Sequence, residues 1–132
     1  MSLYTKCILH TKEETDGIRA SVMSRHTLND GITPDVRITR RSYDMWLQDF
    51  APPSKLLGDY YKRGLSWENF EKEYKAFLRQ AEKAVAIRVL AQEALEKDIT
   101  LLCIEESPEK CHRRLLAEQC LSYQPQLHII HK

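Results

Sequence analysis

Several features that would assign this chain to a specialised class of protein are missing from its sequence. Internal repeats, low-complexity tracts and linkers rich in Gly, Ser and Pro are absent. The longest apolar run, Ile99 to Ile104, is interrupted by Thr100 and falls far short of the roughly 20 residues that a membrane span needs. These absences argue against a repeat protein, a multidomain chain and a membrane protein.

An excess of charge of one sign is missing as well. The 20 Lys and Arg residues nearly balance the 19 Asp and Glu residues, so the net charge is +1. A dedicated nucleic-acid binder usually carries a much stronger positive field. A chain of 132 residues is long enough for one hydrophobic core and too short for two, so we expect a single domain over residues 1–132.

The four cysteines show no disulfide framework. Their spacing contains no Cys-x-x-Cys motif, and the chain has enough apolar residues to fold without crosslinks. We therefore expect reduced thiols. The first ten residues, MSLYTKCILH, lack the apolar core and the small-residue cleavage site of a signal peptide, so a cytoplasmic location is expected.

The order of apolar patterns predicts an α/β fold. Strands are expected at 3–9, 18–23, 99–104 and in LHIIH near the C-terminus, with a short extended piece at 35–39. Helices are expected at 42–50, within 55–63, as two segments of 66–97 that meet near Gln80, and from Pro108 onward with Ser107 as the N-cap. The predicted architecture is a largely parallel sheet of about four or five strands flanked by helices.

In such folds, ligands bind beyond the carboxyl ends of the strands. This rule directs attention to the loops at 24–34 and 105–110. On a helical wheel with about 100° per residue, Arg113 falls within the apolar arc of the last helix. An unpaired guanidinium on a face that packs against a sheet is costly, so Arg113 needs a partner. The Glu105 carboxylate is the expected structural partner, and a bound anion is the functional alternative.

Three further residues of the same segment are candidate catalytic groups. Cys111 lies beside His112, Arg113 and Arg114 near a helix N-terminus, where a thiol pKa is lowered, although the wheel places its side chain away from the apolar arc. A small, partly buried packing residue is the alternative for Cys111. His112 or Glu105 is a candidate proton-transfer group, and a histidine bonded to a nearby carbonyl is the alternative for His112.

The segment reads Cys103-x-Glu105-x-x-Pro108-x-x-Cys111-His112-Arg113, and this spacing resembles the domain-of-unknown-function 488 family. The segment Asp35-Val36-Arg37 resembles an Asp-Val-Arg segment in the first half of such proteins, and the stretch APPSKLLGDYYKRGLSWENFEKEY is similar to the middle of a shorter branch of the family. The resemblance covers most of the chain. It implies an α/β fold and a shared site around Glu105, Cys111, His112 and Arg113, and it implies no particular reaction, cofactor or substrate.

Other polar residues are candidates for ligand binding. Arg25 and His26 lie on the loop that leaves the second strand, and Arg37 belongs to a cluster of arginines. The basic and aromatic residues of DYYKRGLSW are compatible with nucleic-acid stacking, although core aromatics with solvent-facing charges are the commoner arrangement. The cysteine and histidine spacing argues against structural zinc and leaves a catalytic metal open, so we predict no metal ligands and name no cofactor.

These observations favour a small cytoplasmic α/β enzyme that binds a small anionic ligand, phosphorylated or nucleotide-like, at the strand ends. In this hypothesis Arg25, His26, Arg37 and Arg113 bind the ligand, while Glu105, Cys111 and His112 perform the chemistry. The rival hypothesis is a binding module without turnover that holds a nucleic acid or an acidic protein segment in the same crevice. No membrane partner is expected, and the sequence predicts no oligomeric state.

Overall fold

Five short strands form one parallel sheet in the computed structural model, which describes residues 1–132. The spatial order of the strands is β3-β2-β4-β1-β5. Their bounds are Ser2–Cys7 (β1), Ile18–Ser21 (β2), Met45–Trp46 (β3), Ile99–Cys103 (β4) and His128–His131 (β5). β4 lies at the centre and is buried along its whole length, as its uninterrupted apolar sequence predicts. The predicted α/β class with a parallel sheet is confirmed.

Four helices complete the fold: Ser54–Lys62 (α1), Trp67–Leu78 (α2), Ala81–Glu96 (α3) and His112–Tyr123 (α4). The α3 and α4 helices pack against each other and against β1, and α2 covers both of them. The predicted break near Gln80 is confirmed, since Gln80 precedes α3. Ser66 caps α2 by accepting a hydrogen bond from the Asn69 amide, as predicted. No helix has the length and apolar character that crossing a membrane requires.

The two faces of the sheet are covered differently. The register aligns Cys7 with Cys103 on the face where α3 and α4 pack, while Lys6 and Arg19 extend from the opposite face. A loop that contains a one-turn 3-10 helix, Glu14–Asp16, covers this second face. The buried Asp16 carboxylate accepts hydrogen bonds there from Lys6 (3.1 Å), Arg19 (2.6 Å) and Lys132 (2.7 Å). One carboxylate therefore fixes the loop, two strands and the last residue of the chain.

The predicted helix at 42–50 is wrong. The segment instead contains β3 followed by a second one-turn 3-10 helix, Gln48–Phe50. The backbone amides of Asp44 and Leu47 donate to the carbonyls of Arg19 and Ser21 at 2.7 Å each. Strand pairing with β2 therefore overrides the helical spacing of the apolar residues.

The extended piece expected at 35–39 is wrong too. The Asp35 carboxylate accepts a hydrogen bond from the Arg37 amide at 3.0 Å, and the chain forms a turn there.

The predicted start of the last helix at Pro108 is also wrong. The helix begins at His112, with Cys111 in the N-cap position, while Ser107 accepts from the Glu109 amide in a separate turn. The carbonyls of Pro108 and Glu109 accept from the Arg114 guanidinium at 3.2 Å and 2.8 Å. Side chains of the helix thus occupy carbonyls that an earlier helix start would have used for its own backbone hydrogen bonds.

Candidate functional site

The carboxyl ends of β1 and β4 meet the N-terminus of α4 at a cluster of buried thiols. Cys103 is the last residue of β4, Cys7 is its register partner in β1, and Cys111 is the N-cap of α4. Their exposed fractions are 4% for Cys103, 1% for Cys7 and 1% for Cys111. Such strand ends are the usual position of ligand sites in parallel α/β sheets.

Arg113 is the most unusual residue of this cluster, because its side chain is completely buried. Its NH1 group donates to the Glu105 carbonyl at 2.5 Å and to the Cys111 sulfur at 3.3 Å, and its NH2 group donates to the Glu106 carbonyl at 3.2 Å. The Nε atom has no hydrogen-bond partner. The expected ion pair with the Glu105 carboxylate is therefore wrong, since the backbone carbonyl of Glu105 accepts instead.

A guanidinium stays charged at any pH that a protein tolerates, and an uncompensated charge in a protein interior is costly. No carboxylate forms an ion pair with Arg113. The nearest group that can become an anion is the thiol of Cys111, which already accepts a hydrogen bond from NH1. The electrostatic balance of the site therefore favours one thiolate beside the arginine.

The thiols of Cys103 and Cys111 share their ionisation. A hydrogen bond from the Cys111 thiol lowers the pKa of Cys103, the backbone amides of Ile104 and Glu105 lower it further, and the positive charge of Arg113 acts in the same direction. The same hydrogen bond, with burial, raises the pKa of Cys111 well above its ordinary value. Ionisation of the pair is therefore favoured at Cys103 over Cys111.

This assignment corrects two expectations for Cys111. Its backbone is extended, with φ −134° and ψ 138°, so the helical wheel does not describe the direction of its side chain. The thiol lies inside the cluster and contacts Arg113. The lowered thiol pKa belongs to Cys103, whereas Cys111 is the hydrogen-bond donor.

His112 holds the end of β2 against α4. Its Nε2 atom lies 2.8 Å from the Val22 carbonyl, so Nε2 carries a proton and donates it. The Cys103 sulfur lies 3.7 Å from Nδ1 and 3.9 Å from Nε2. The two distances are similar, so the sulfur is not in line with the lone pair of either nitrogen. His112 therefore contacts Cys103, and its role as a proton-transfer group for a substrate stays a prediction.

Glu105 lies at the outer edge of the cluster. Its carboxylate accepts a hydrogen bond of 2.8 Å from the hydroxyl of Tyr61, which belongs to α1. Burial of the hydroxyl end raises the pKa of Tyr61, and the charges of Glu105 and the two thiols raise it further. The phenol therefore stays neutral and remains a donor. The Tyr61–Glu105 bond joins α1 to the segment that follows β4, where the Glu105 side chain is half-buried.

The residues predicted on the early loop form separate contacts. Arg25 is exposed and donates to the Gly31 carbonyl at 3.2 Å. His26 lies with Nε2 2.7 Å from the Ser21 hydroxyl and stacks on Trp46, with ring centroids 4.1 Å apart. Burial lowers the pKa of His26. This pair of aromatic rings covers the carboxyl ends of β2 and β3, beside the thiol cluster.

Arg37 is occupied by its neighbour Asp35. Its guanidinium donates to the two Asp35 carboxylate oxygens at 2.9 Å and 2.7 Å, and more than half of its side chain is exposed. The structure thus gathers Glu105, Cys111, His112 and Arg113 around the thiol cluster. It gives Arg25, His26 and Arg37 other partners, and their predicted binding roles stay predictions.

Sequence reasoning missed Cys103 as a site residue. The available signal was a cysteine at the end of a predicted apolar strand, eight residues before Cys111. What the sequence did not indicate is the return of the chain, which brings the donor atoms of Cys103, Cys111 and His112 within 4.8 Å of one another. The set contains the donor types that zinc prefers, and the bond from Nε2 to the Val22 carbonyl leaves Nδ1 as the free ring nitrogen of His112.

The fold and the site define an α/β domain with a parallel sheet and an arginine-supported thiol pair at its carboxyl edge. The family model DUF488-N3a, described as the active DUF488-N3 subclade, matches residues 3–124. The chain belongs to this family, as the resemblance predicted. Neither a curated protein nor a solved structure matches the chain.

Proposed function

We propose that this protein is a small thiol-dependent enzyme in which the Cys103 thiolate is the nucleophile. The observation that carries the proposal is the completely buried guanidinium of Arg113, which has no carboxylate partner and donates to the sulfur of Cys111. The guanidinium of Arg113 contacts the Cys111 sulfur, and the Cys103 sulfur lies within 4.8 Å of Cys111. Nucleophilic cysteines in other proteins occur in electropositive surroundings of this kind.

The proposed reaction is group transfer. The Cys103 sulfur attacks an electrophilic carbon or phosphorus atom and forms a covalent bond, while the leaving group departs with its bonding electron pair. The leaving group takes its proton from water, and Glu105, an ionised carboxylate held by the Tyr61 hydroxyl, is the candidate for accepting a proton from the water of the second step. Water then attacks the intermediate, and Cys103 leaves again as the thiolate. Access to the thiol requires Tyr61 or the segment 104–110 to move aside, since Cys103 is only 4% exposed.

An anionic substrate is the proposed ligand class. The Nε atom of Arg113 is a buried donor without a partner. The same guanidinium donates to the Cys111 sulfur through NH1. An anionic oxygen of the substrate is the group that best satisfies such a donor. The description of the family as an active subclade fits an enzyme.

The test is the reactivity of each thiol with iodoacetamide as a function of pH, measured by peptide mass spectrometry. Cys103 should react first, with a midpoint below that of an ordinary thiol. In Arg113→Met the midpoint should rise, and the rate at neutral pH should fall about tenfold for each unit that the pKa increases. Arg113→Lys keeps the charge and should lie between the two.

Cys120 is the internal control, because burial in α4 raises its pKa to about 12. The proposal fails if Cys103 reacts no faster than Cys120 in the folded protein, or if its midpoint is the same in Arg113→Met. The rival binding module makes a different prediction. Its affinity for a nucleic acid would fall steeply with salt and would be unchanged in Cys103→Ser.

A further inference from the structure

The thiols of Cys103, at the end of β4, and Cys111, at the start of α4, are close enough for a second reaction that group transfer does not use, which is the formation of a disulfide. The sulfurs of Cys103 and Cys111 lie within 4.8 Å of each other, and both thiols are buried at the same strand end. A disulfide requires a sulfur separation of about 2.05 Å, so a side-chain rotation with a small shift of the loop between the two residues would join them. The loop spans only 104–110, and regular secondary structure is absent from it.

We infer that Cys103 and Cys111 form a two-thiol redox centre that a small hydroperoxide oxidises to an intramolecular disulfide. This inference goes beyond the proposed group transfer and rests on Cys103 as the same nucleophile. The thiols are 4% and 1% exposed, so the structure favours an oxidant as small as hydrogen peroxide over a bulky one. Arg113 contributes a fixed positive charge that contacts the Cys111 sulfur and acts electrostatically on the Cys103 sulfur.

The reaction balances in two steps. The Cys103 thiolate attacks one oxygen of the peroxide, the O–O bond breaks, and the leaving hydroxide takes up a proton to become water, which leaves Cys103 as a sulfenic acid. The Cys111 sulfur then attacks the Cys103 sulfur, the S–O bond breaks, and the departing oxygen leaves as a second water while the S–S bond forms. The peroxide is reduced by two electrons and the thiol pair is oxidised by two. A small dithiol restores the reduced pair.

The structure also distinguishes Cys111 from the other candidates for the second thiol. Cys7 is the register partner of Cys103 on the neighbouring strand, but its thiol donates to the Ile104 carbonyl at 3.4 Å. Its sulfur does not belong to the group of donor atoms that lie within 4.8 Å of one another. Cys120 lies two turns farther along α4 and is completely buried. Cys111 is therefore the resolving thiol.

The experiment treats the reduced full-length protein with hydrogen peroxide and reads the products by intact and peptide mass spectrometry. The wild type should lose about 2 Da and yield a Cys103–Cys111 peptide pair that dithiothreitol reverses. In Cys111→Ser, Cys103 should accumulate as a sulfenic acid that dimedone traps. Cys7→Ser and Cys120→Ser are matched controls, and both should form the disulfide at the wild-type rate.

Failure of this inference can be told apart from failure of the proposed function. If Cys103 is alkylated at low pH but peroxide gives a Cys7–Cys103 disulfide, or no disulfide at all, the redox pair is wrong and the nucleophile stands. If Cys103 shows neither early alkylation nor dimedone labelling in Cys111→Ser, both proposals are wrong. A disulfide in Cys111→Ser would also overturn the inference, because it would require another partner for Cys103.

Discussion

The guanidinium of Arg113 and the sulfur of Cys111 lie 3.3 Å apart in a buried site where carbonyls, and no carboxylate, complete the arginine's hydrogen bonds. Arg113 therefore has two tasks: it supplies positive charge to the thiols, and it fixes the loop carbonyls of Glu105 and Glu106. The first task concerns reactivity and the second concerns stability. The two are separable by experiment, because a substitution that retains the fold still changes the charge.

Replacing Arg113 should destabilise the protein strongly. Arg113→Ala leaves the Glu105 and Glu106 carbonyls without their donor and creates a cavity in the buried site, so we expect a loss of about 3–5 kcal/mol in the free energy of unfolding. Urea denaturation followed by circular dichroism measures this loss. The neighbouring Arg114→Ala is the matched control. Its ion pairs with Glu71 and Glu118 are partly exposed, so its effect should stay near 1 kcal/mol. Equal effects of the two variants would contradict the structural role of Arg113.

Asp16 should be the most sensitive acidic residue. Asp16→Asn leaves the buried Lys6 and Arg19 without their shared carboxylate, and breaking a buried charge cluster on one side costs about 3–5 kcal/mol. Urea denaturation measures this change too. Asp59→Asn is a suitable comparison, because Asp59 pairs with exposed Lys55 and Arg63 on α1. A smaller effect at Asp16 than at Asp59 would refute the role of Asp16 as the organiser of the second face.

The Asp16 network also predicts an acid transition. Its hydrogen bonds to cations outweigh the effect of burial and hold the pKa of Asp16 far below the ordinary 3.8. Because the folded-state pKa is lower than the unfolded one, the stabilisation is complete above the unfolded pKa and is lost as the pH falls below it toward the folded value. Denaturation curves should therefore show a loss of stability below about pH 4 that is absent from Asp16→Asn.

Tyr61 should control access to the thiols. Tyr61→Ala removes the bond that ties α1 to the segment 104–110, so this segment should open more readily and the alkylation rate of Cys103 should increase severalfold at a fixed pH. Tyr61→Phe keeps the ring and loses the hydroxyl, which separates shielding by the ring from the hydrogen bond of 2.8 Å. Lys62→Ala, an exposed change on the same helix, is the control. Unchanged rates in Tyr61→Ala would mean that the thiols are reached by another route.

Two histidines should make the fold sensitive to mild acid. Burial lowers the pKa of His26, and burial together with the charge of Arg113 lowers that of His131. As the pH falls below the ordinary value of about 6.5, the unfolded chain takes up protons before the folded protein does, so stability decreases until the folded pKa values are passed. Thermal denaturation between pH 7 and pH 5 should show this decrease. His26→Asn and His131→Asn should each reduce its slope, and an unchanged slope in both would contradict the assignment.

Much of the fold follows from local sequence signals. The apolar run of β4, the capping serine of α2 and the break before α3 are all encoded in neighbouring residues, so they were predictable. The segment at 42–50 was not, because its apolar spacing suits a helix and only pairing with β2 makes it a strand. The start of α4 failed for a related reason, since the Pro108 and Glu109 carbonyls, which would begin an earlier helix, are bound by Arg114.

By itself the sequence determined that Arg113 belongs to a buried face and therefore needs a partner. It also located the site at the turn after β4, because the order of strands and helices fixes which loops lie at the carboxyl edge of a parallel sheet. Only the tertiary structure decided what the partner is. Carbonyls of the loop and the thiol of Cys111 reach the guanidinium because the chain folds back across eight residues onto the end of β4, and no local pattern encodes that return.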